Sequence, residues 1–511
     1  MSNVTLARLR VPLSLLIVAI STLYVVLPAL SLGFVSDDFV HLVRDRAGPW
    51  YYSSDSLYRP FRNGLFKMMV AFFGLQPQPY RIFALLAYLL CGFLFYRLLL
   101  TLDLGVIAST CATFLAFFDP RNHALLFWFS AIQDLLFVIC VLGMILSWIR
   151  FRRRKDSRAL VISVALYATA LGFKETAVVC PVLVVLVDWF FLLPQTESEI
   201  RTESQLAYVG FLLPLALLGC FVYWYPDGVF RRAMAEAVRF DYGRSDATGI
   251  VLAESRSVLN LLLPFEPPFA LRDIGFSLGL RVAVVTMLLG GVVGLAPNKK
   301  IWLFAAVWVF VMLLPTSMFA RAKNEEYYFF FPGFGLATAI SMSFRDIAKP
   351  LRRRPVTYLL AAVLIFYCTA GTWRLKGREK EWQAAAATVQ QLIGETAAVL
   401  PRSASTHVDF VNVPHDLGGI PVLNNGLRGA LMASGYSSNL SVTYNGDLAD
   451  PKQPGLISAV RACSMTEPQN DNRVLLVTNA VVTDHTSRCA RDAIAEDVRL
   501  RPWAWFKDPR N

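Results

Sequence analysis

Long apolar stretches separated by short charged punctuation dominate this chain. At the roughly 20 residues that a helix needs to cross a bilayer, the pattern predicts about eleven membrane helices. They fall near 11–32, 80–101, 104–118, 124–150, 159–173, 176–194, 206–225, 276–296, 301–319, 327–344 and 356–372. The two longest intervals between them, 33–79 and 226–275, carry short amphipathic stretches at Gly64–Phe73 and Val251–Leu263, which suit an interfacial position. Beyond 372 the rhythm changes. Glu379 to Leu400 reads as helix, while Val408-Asp409-Phe410-Val411 and Val474-Leu475-Leu476-Val477 read as short buried strands. Gly418-Gly419 and Asn424-Asn425-Gly426 read as turns. The expected architecture is an all-α polytopic membrane domain over 1–372, followed by a small C-terminal α/β domain over 373–511.

Composition agrees with this reading. The 511 residues are 55% hydrophobic and 17% charged, with a mean hydropathy of +0.48, against about 25% charged in a soluble protein. The net charge of +12 does not point to nucleic acid. Its basic residues gather in short runs between apolar segments, at Arg152-Arg153-Arg154-Lys155, Lys299-Lys300 and Arg352-Arg353-Arg354. That is the mark of cytoplasmic loops. With Arg8 and Arg10 placing the N-terminus inside, alternation puts all of these runs and Arg201 in the cytoplasm. The same alternation puts Asp37-Asp38, the Asp119–His123 turn, Lys174-Glu175, Arg321–Glu326 and everything after 372 outside. The first apolar run is long for a signal peptide and lacks a small-x-small cleavage site. Six of the eight cysteines lie in apolar segments and read as small hydrophobes. Cys463 and Cys489, in the extracytoplasmic tail, are placed to form a disulfide.

The chemistry-bearing groups therefore collect on one side, where no Walker-type phosphate loop accompanies them. Asp37-Asp38 suits a general base or a metal-assisted carboxylate, and equally a helix N-cap. Tyr58-Arg59-Pro60 suits a phosphate oxygen or an interfacial anchor. His123 suits acceptor orientation, metal binding or a cap. Asp134 lies inside an apolar helix, where a charge is costly and requires a partner or a polar cavity. Lys174-Glu175 interrupts an apolar stretch, either as a plain turn or as a cation held at the membrane rim for a lipid-linked phosphate. Arg321, Lys323, Glu325 and Glu326 precede the aromatic band Tyr327–Phe331. An aromatic belt explains the rings but not the charges.

In order along the chain, several segments resemble the GT-C superfamily of membrane glycosyltransferases. They are Ser36-Asp37-Asp38, Leu57-Tyr58-Arg59-Pro60-Phe61, His123–Trp128, Asp134-Leu135-Leu136, Lys174-Glu175 with Pro181 and Asp188, Asn260–Pro264, and Glu326 with Pro332-Gly333. The resemblance is closest to the protein O-mannosyltransferase-like branch. It departs where that branch often has Glu-Arg-Tyr and this chain has Glu326-Tyr327-Tyr328, and no tetratricopeptide repeats follow. The resemblance implies inverting transfer of one sugar from a polyprenyl-phosphate donor to a protein, lipid or glycan acceptor on the outer side of the membrane. The small outer domain and the lack of an obvious eukaryotic retention signal make a bacterial inner membrane the expected home. Asp37 would be the base and Asp38 would position the acceptor or a metal. Arg59, Lys174 and Arg321 would neutralise the leaving phosphate, with Tyr58, His123, Asp134, Glu175 and Glu326 in support. A divalent metal stays open. The carboxylates with His41 or His123 would suit magnesium, manganese or zinc. The competing classes are a lipid-linked glycan flippase, which would place its charges mid-membrane, and an O-antigen polymerase or ligase, which would concentrate them in a large late loop.

Overall fold

A computed structural model describes residues 16–43, 59–192, 207–224, 261, 298–317, 326–351, 354–403, 407–411, 413–414, 416–417, 420–423, 426–444, 473–478 and 481–484. The expected helix at 276–296, the Cys463–Cys489 pairing, Tyr58 and Arg321 lie outside the described residues.

The apolar runs form helices with recognisable stops. The first, α1 (Leu16–Ser31), tightens into a 3-10 turn from Leu27, where Pro28 removes a backbone donor. Next come α2 (Asp37–Leu42) and α3 (Pro60–Phe73). Then α4 (Pro77–Thr101) opens with proline in its first turn. It is followed by α5 (Val106–Phe117), α6 (His123–Phe127) and α7 (Ile132–Arg154). The last residue of the basic run, Lys155, takes a left-handed conformation and ends α7. Asp156 then caps α8 (Ser157–Phe173) by accepting from the Arg158 amide. The two-residue link makes α7 and α8 antiparallel neighbours. The remaining long elements are α9 (Glu175–Leu192), α10 (Leu212–Trp224), α11 (Lys299–Ser317), α12 (Phe330–Leu351) and α13 (Arg354–Val399).

Among the described residues, four helices are long and apolar enough to cross a membrane: α4, the Phe129–Arg154 stretch, α9 and α11. The stretch containing α7 is 72% buried, against 44–56% for the others, so α7 is the central post. Its Ile132, Leu135, Val141, Ile145 and Trp148 are inaccessible. Around it, the rings of Tyr88, Phe117, Phe330 and Phe334 interlock α4, α5 and α12. The outer helix surfaces are also apolar. Ile107, Val161, Phe310 and Phe366 are exposed, as lipid-facing positions of a membrane bundle are.

Two boundaries differ from the sequence reading. The helix expected over 124–150 is broken at Trp128, whose ψ of 114° leaves the helical region. The break is stable because side chains satisfy the freed backbone groups. Arg81 donates to the Phe127 carbonyl (2.6 Å), and Asp38 accepts from the Ser130 amide (2.8 Å). The second difference is α13, which runs 46 residues without interruption through the expected domain boundary at 372. Its alanine-rich second half has no proline to stop it.

After α13, the chain forms a four-stranded sheet of order β4-β1-β5-β6. The strands are β1 (His407–Val411), β4 (Ser441–Tyr444), β5 (Arg473–Thr478) and β6 (Val481–Asp484). β1 pairs parallel with β4 and β5, and β5 pairs antiparallel with β6. Val408 and Phe410, then Leu475 and Val477, alternate into the core. Between β1 and β4 lie the short antiparallel pair β2 (Asp416–Leu417) and β3 (Ile420–Pro421) and the helix α14 (Leu427–Ala433). Parallel strands need such a crossover.

Candidate active site

Three groups of polar side chains converge at the end of the bundle where α7 begins. In the first, Asp37 and Asp38 open α2, but successive residues on a helix point about 100° apart, and the two separate completely. Asp38 is inaccessible. Its Oδ1 accepts from the Ser130 amide (2.8 Å) and hydroxyl (2.7 Å), its Oδ2 accepts from the Val35 amide (3.2 Å), and Arg81 lies 4.0 Å away. Burial pushes the Asp38 carboxyl above its ordinary range, while Arg81 and these hydrogen bonds pull it back. Asp37 sits on the other side of the turn and is half-buried. Arg81 also donates to the carbonyls of Leu32 (3.3 Å) and Gly33 (2.7 Å), tying the end of α1 to the break at Trp128.

In the second group, Arg59, immediately before α3, makes a bidentate pair with Glu175 at the start of α9, 2.7 Å at each arm. Planar fork-to-carboxylate pairing is the strong geometry for arginine. Arg59 also donates to Gln133 Oε1 (3.0 Å), which accepts from Arg62 as well (3.4 Å). The Arg59 side chain keeps 7% of its surface and the Glu175 side chain 46%, so the pair forms one rim of the site.

In the third, Lys174 closes α8 and pairs with Asp134 in the first turn of α7. Both side chains are buried, at 4% and 8% exposure. The Lys174 ammonium lies 4.5 Å from the ring centre of Tyr328 and 5.7 Å from that of Tyr327, a cation–π arrangement. A cleft opens beside them, lined by Asp134, Lys174, Thr176, Thr316, Tyr327 and Tyr328 with an apolar floor of Phe137, Phe330 and Phe331. The second oxygen of Asp134, Oδ2, is buried without a hydrogen-bond partner among the described residues.

The second and third groups form one electrostatic cluster. Asp134 feels Lys174, Arg59 and Glu175, and Glu175 feels Arg59 and Lys174. Counting Arg62, three cations stand against two carboxylates, a surplus suited to an anion. The Asp37 helix packs on the 129–131 turn, a few residues before Gln133 and Asp134. His123 lies to one side. Its Nδ1 accepts from the Trp382 indole (3.0 Å), which fixes that nitrogen as unprotonated. Glu326 opens the 3-10 turn Glu326–Phe329 that carries Tyr327 and Tyr328. Among the described residues no three His, Cys, Asp or Glu side chains gather as metal ligands.

Sequence reading singled out Arg59, Lys174, Asp134 and Glu175 but not who partners whom, and it missed Arg81, Ser130 and Gln133. Arg81 passes for a positive residue at a helix end. Only its position inside the apolar segment 80–101, where a charge needs partners, could have flagged it.

Several of the ordered motifs that resemble membrane glycosyltransferases fall at this charged end of the bundle. Residues 60–224, about a third of the chain, match the family described as dolichyl-phosphate-mannose-protein mannosyltransferase. That stretch holds Arg62, Gln133, Asp134, Lys174 and Glu175; Arg59 immediately precedes it, and Tyr327 and Tyr328 lie beyond it. A search of curated proteins finds no match. Among solved structures, the chain resembles the crystal structure of ArnT from Cupriavidus metallidurans bound to undecaprenyl phosphate, at 14% identity and a TM-score of 0.49, over 98% of this chain and 95% of that one. The apo state of the same protein gives 15% identity and a TM-score of 0.47, over 96% and 94%. The arabinofuranosyltransferase AftD from Mycobacteria gives 13% identity and a TM-score of 0.48, over 91% of this chain and 35% of that one.

Proposed function

We propose that this protein transfers a single sugar from a polyprenyl-phosphate-sugar donor to an acceptor on the extracytoplasmic side of a bacterial inner membrane, with inversion. The observation that carries the reading is the buried Lys174–Asp134 pair under Tyr327 and Tyr328, beside Arg59–Glu175, in a cleft with an apolar floor. A phosphate attached to a long hydrocarbon needs cations at the edge of an apolar surface, and this cleft supplies both. Lys174 and Arg59 neutralise the phosphate, with Arg321 assigned to it by the ordered motifs. Asp134 and Glu175 hold the two cations in place before the donor arrives, so little reorganisation is left for the reaction.

In the transfer, the acceptor oxygen or nitrogen attacks the anomeric carbon as the bond from that carbon to the phosphate oxygen breaks. The acceptor proton passes to the Asp37 carboxylate, and the polyprenyl phosphate leaves with the electron pair. Asp38, buried against Ser130 and Val35, holds the start of α2 and so sets the place of Asp37. Tyr58, His123 and Glu326 are assigned supporting roles by the ordered motifs. The orientation rests on the other end of α7, where the basic run Arg152–Lys155 marks a cytoplasmic loop.

The test is transfer of radiolabelled sugar from a panel of polyprenyl-phosphate sugars by membranes carrying the wild type or Asp37→Asn. Donor consumption that depends on Asp37 supports the reading and names the sugar. Equal turnover by both proteins moves the base elsewhere, and no consumption of any donor by folded wild type refutes the reaction class.

A further inference from the structure

The helix that carries Asp37 is six residues long, too short to hold itself in place. It begins at Ser36, which has φ of 43° and ψ of −119°. A side-chain-bearing residue adopts such a backbone only where its surroundings impose it. The surroundings come from the far end of the chain. The Ser36 amide donates to the Val422 carbonyl at 2.7 Å, and α14 packs on α2. The approach is backbone to backbone. A Cβ added at Gly426 would overlap the Ser36 carbonyl oxygen and lie 2.7 Å from its carbon. One added at Gly429 would overlap the Phe39 carbonyl oxygen and lie 2.8 Å from its carbon. Only glycine permits this contact.

The unit that makes the contact is itself anchored to the bundle through α13. Trp382 donates to His123, and Gly371 lies directly on the Phe118 carbonyl. The strands and α14 thus follow a rigid 46-residue helix seated on the 118–123 turn.

We propose that the C-terminal α/β segment works as a clamp in cis. Gly426 and Gly429, with the Val422 carbonyl, are positioning residues that set Asp37 for proton abstraction. The inference rests on the glycosyl-transfer reading for its catalytic consequence.

The test uses full-length protein in detergent or lipid nanodiscs, with Gly426→Ala and Gly429→Ala. Gly394→Ala serves as control, because a methyl there meets nothing within 4 Å. Three quantities are read: kcat for sugar transfer, Kd for undecaprenyl phosphate, and hydrogen exchange of the 36–42 amides. The expected result is a kcat lower by about tenfold or more in both clamp variants, Kd within about twofold of wild type, faster exchange at 36–42, and no change in the control. Wild-type kcat in both clamp variants, with Asp37→Asn inactive, overturns the clamp and leaves the transfer reading standing. Parallel loss of kcat, donor binding and thermal stability overturns positioning in favour of general support. Should neither variant fold, the wild type decides. The 36–42 and 427–433 amides then exchange as one cooperative unit under mild denaturant, and independent exchange overturns the proposal. A folded wild type that uses no donor refutes the transfer reading and this inference with it.

Discussion

Replacing Lys174 with methionine separates two roles that the structure superimposes on one side chain. Lys174 and Asp134 are both nearly inaccessible, so removing the ammonium strands a carboxylate, one of whose oxygens already has no hydrogen-bond partner among the described residues. Breaking a buried pair from one side costs about 3–5 kcal/mol. The double replacement Lys174→Met with Asp134→Asn removes the stranded charge, and most of that loss returns. A denaturant or thermal melt of the four proteins therefore shows a coupling of at least about 2 kcal/mol between residues in direct contact. Donor binding behaves differently. A charge-assisted contact to phosphate contributes about 1.5–3 kcal/mol, or roughly 10–150-fold in Kd, and the double variant does not recover it. The assay is titration of undecaprenyl phosphate against each protein by intrinsic fluorescence or radioligand retention. A stable double variant that binds undecaprenyl phosphate as tightly as wild type refutes the assignment of Lys174 to the phosphate. Additive stability losses refute the pairing.

Further outcomes distinguish the remaining residues. Asp37→Asn abolishes transfer while melting temperature and undecaprenyl phosphate affinity stay at wild-type values; retained turnover excludes it as the base. Asp38→Asn loses about 1–3 kcal/mol of stability in a melt, because the amide nitrogen that replaces one carboxylate oxygen faces a buried donor and leaves it unsatisfied. Arg152→Met strands the inaccessible Asp188, which also accepts from Tyr208. It costs about 3–5 kcal/mol without moving donor affinity, because Arg152 lies about 27 Å along α7 from Asp134 at 1.5 Å per residue. Trp382→Phe leaves the buried His123 Nδ1 without its donor and lowers stability by about 1–3 kcal/mol; an unchanged melt shows that water replaces the indole.

Much of the architecture is legible in the chain itself, because bilayer thickness turns a local property, the length of an apolar run, into a helix. The spans at 80–101, 104–118, 159–173 and 301–319 and the strands around 408–411 and 474–477 reappear in the structure within a few residues. The intramembrane charges were equally visible, since Asp134 inside an apolar run demands a partner whatever the fold. What local pattern could not supply is the partner. Lys174 is 40 residues from Asp134, and Glu175 is 116 from Arg59. The break at Trp128 was illegible because it depends on Arg81 and Asp38 taking up backbone groups that a continuous helix would have satisfied internally. Asp37 and Asp38 are chemically identical in the sequence. They differ only because the turn of α2 aims one at Ser130 and leaves the other on the opposite side, in a helix whose placement depends on glycines nearly 390 residues away. Hydropathy is a sum over neighbours along the chain and therefore survives reading in one dimension. Ion pairing and hydrogen bonding fall off within a few ångströms in space, so the site's assignments exist only once the chain is folded.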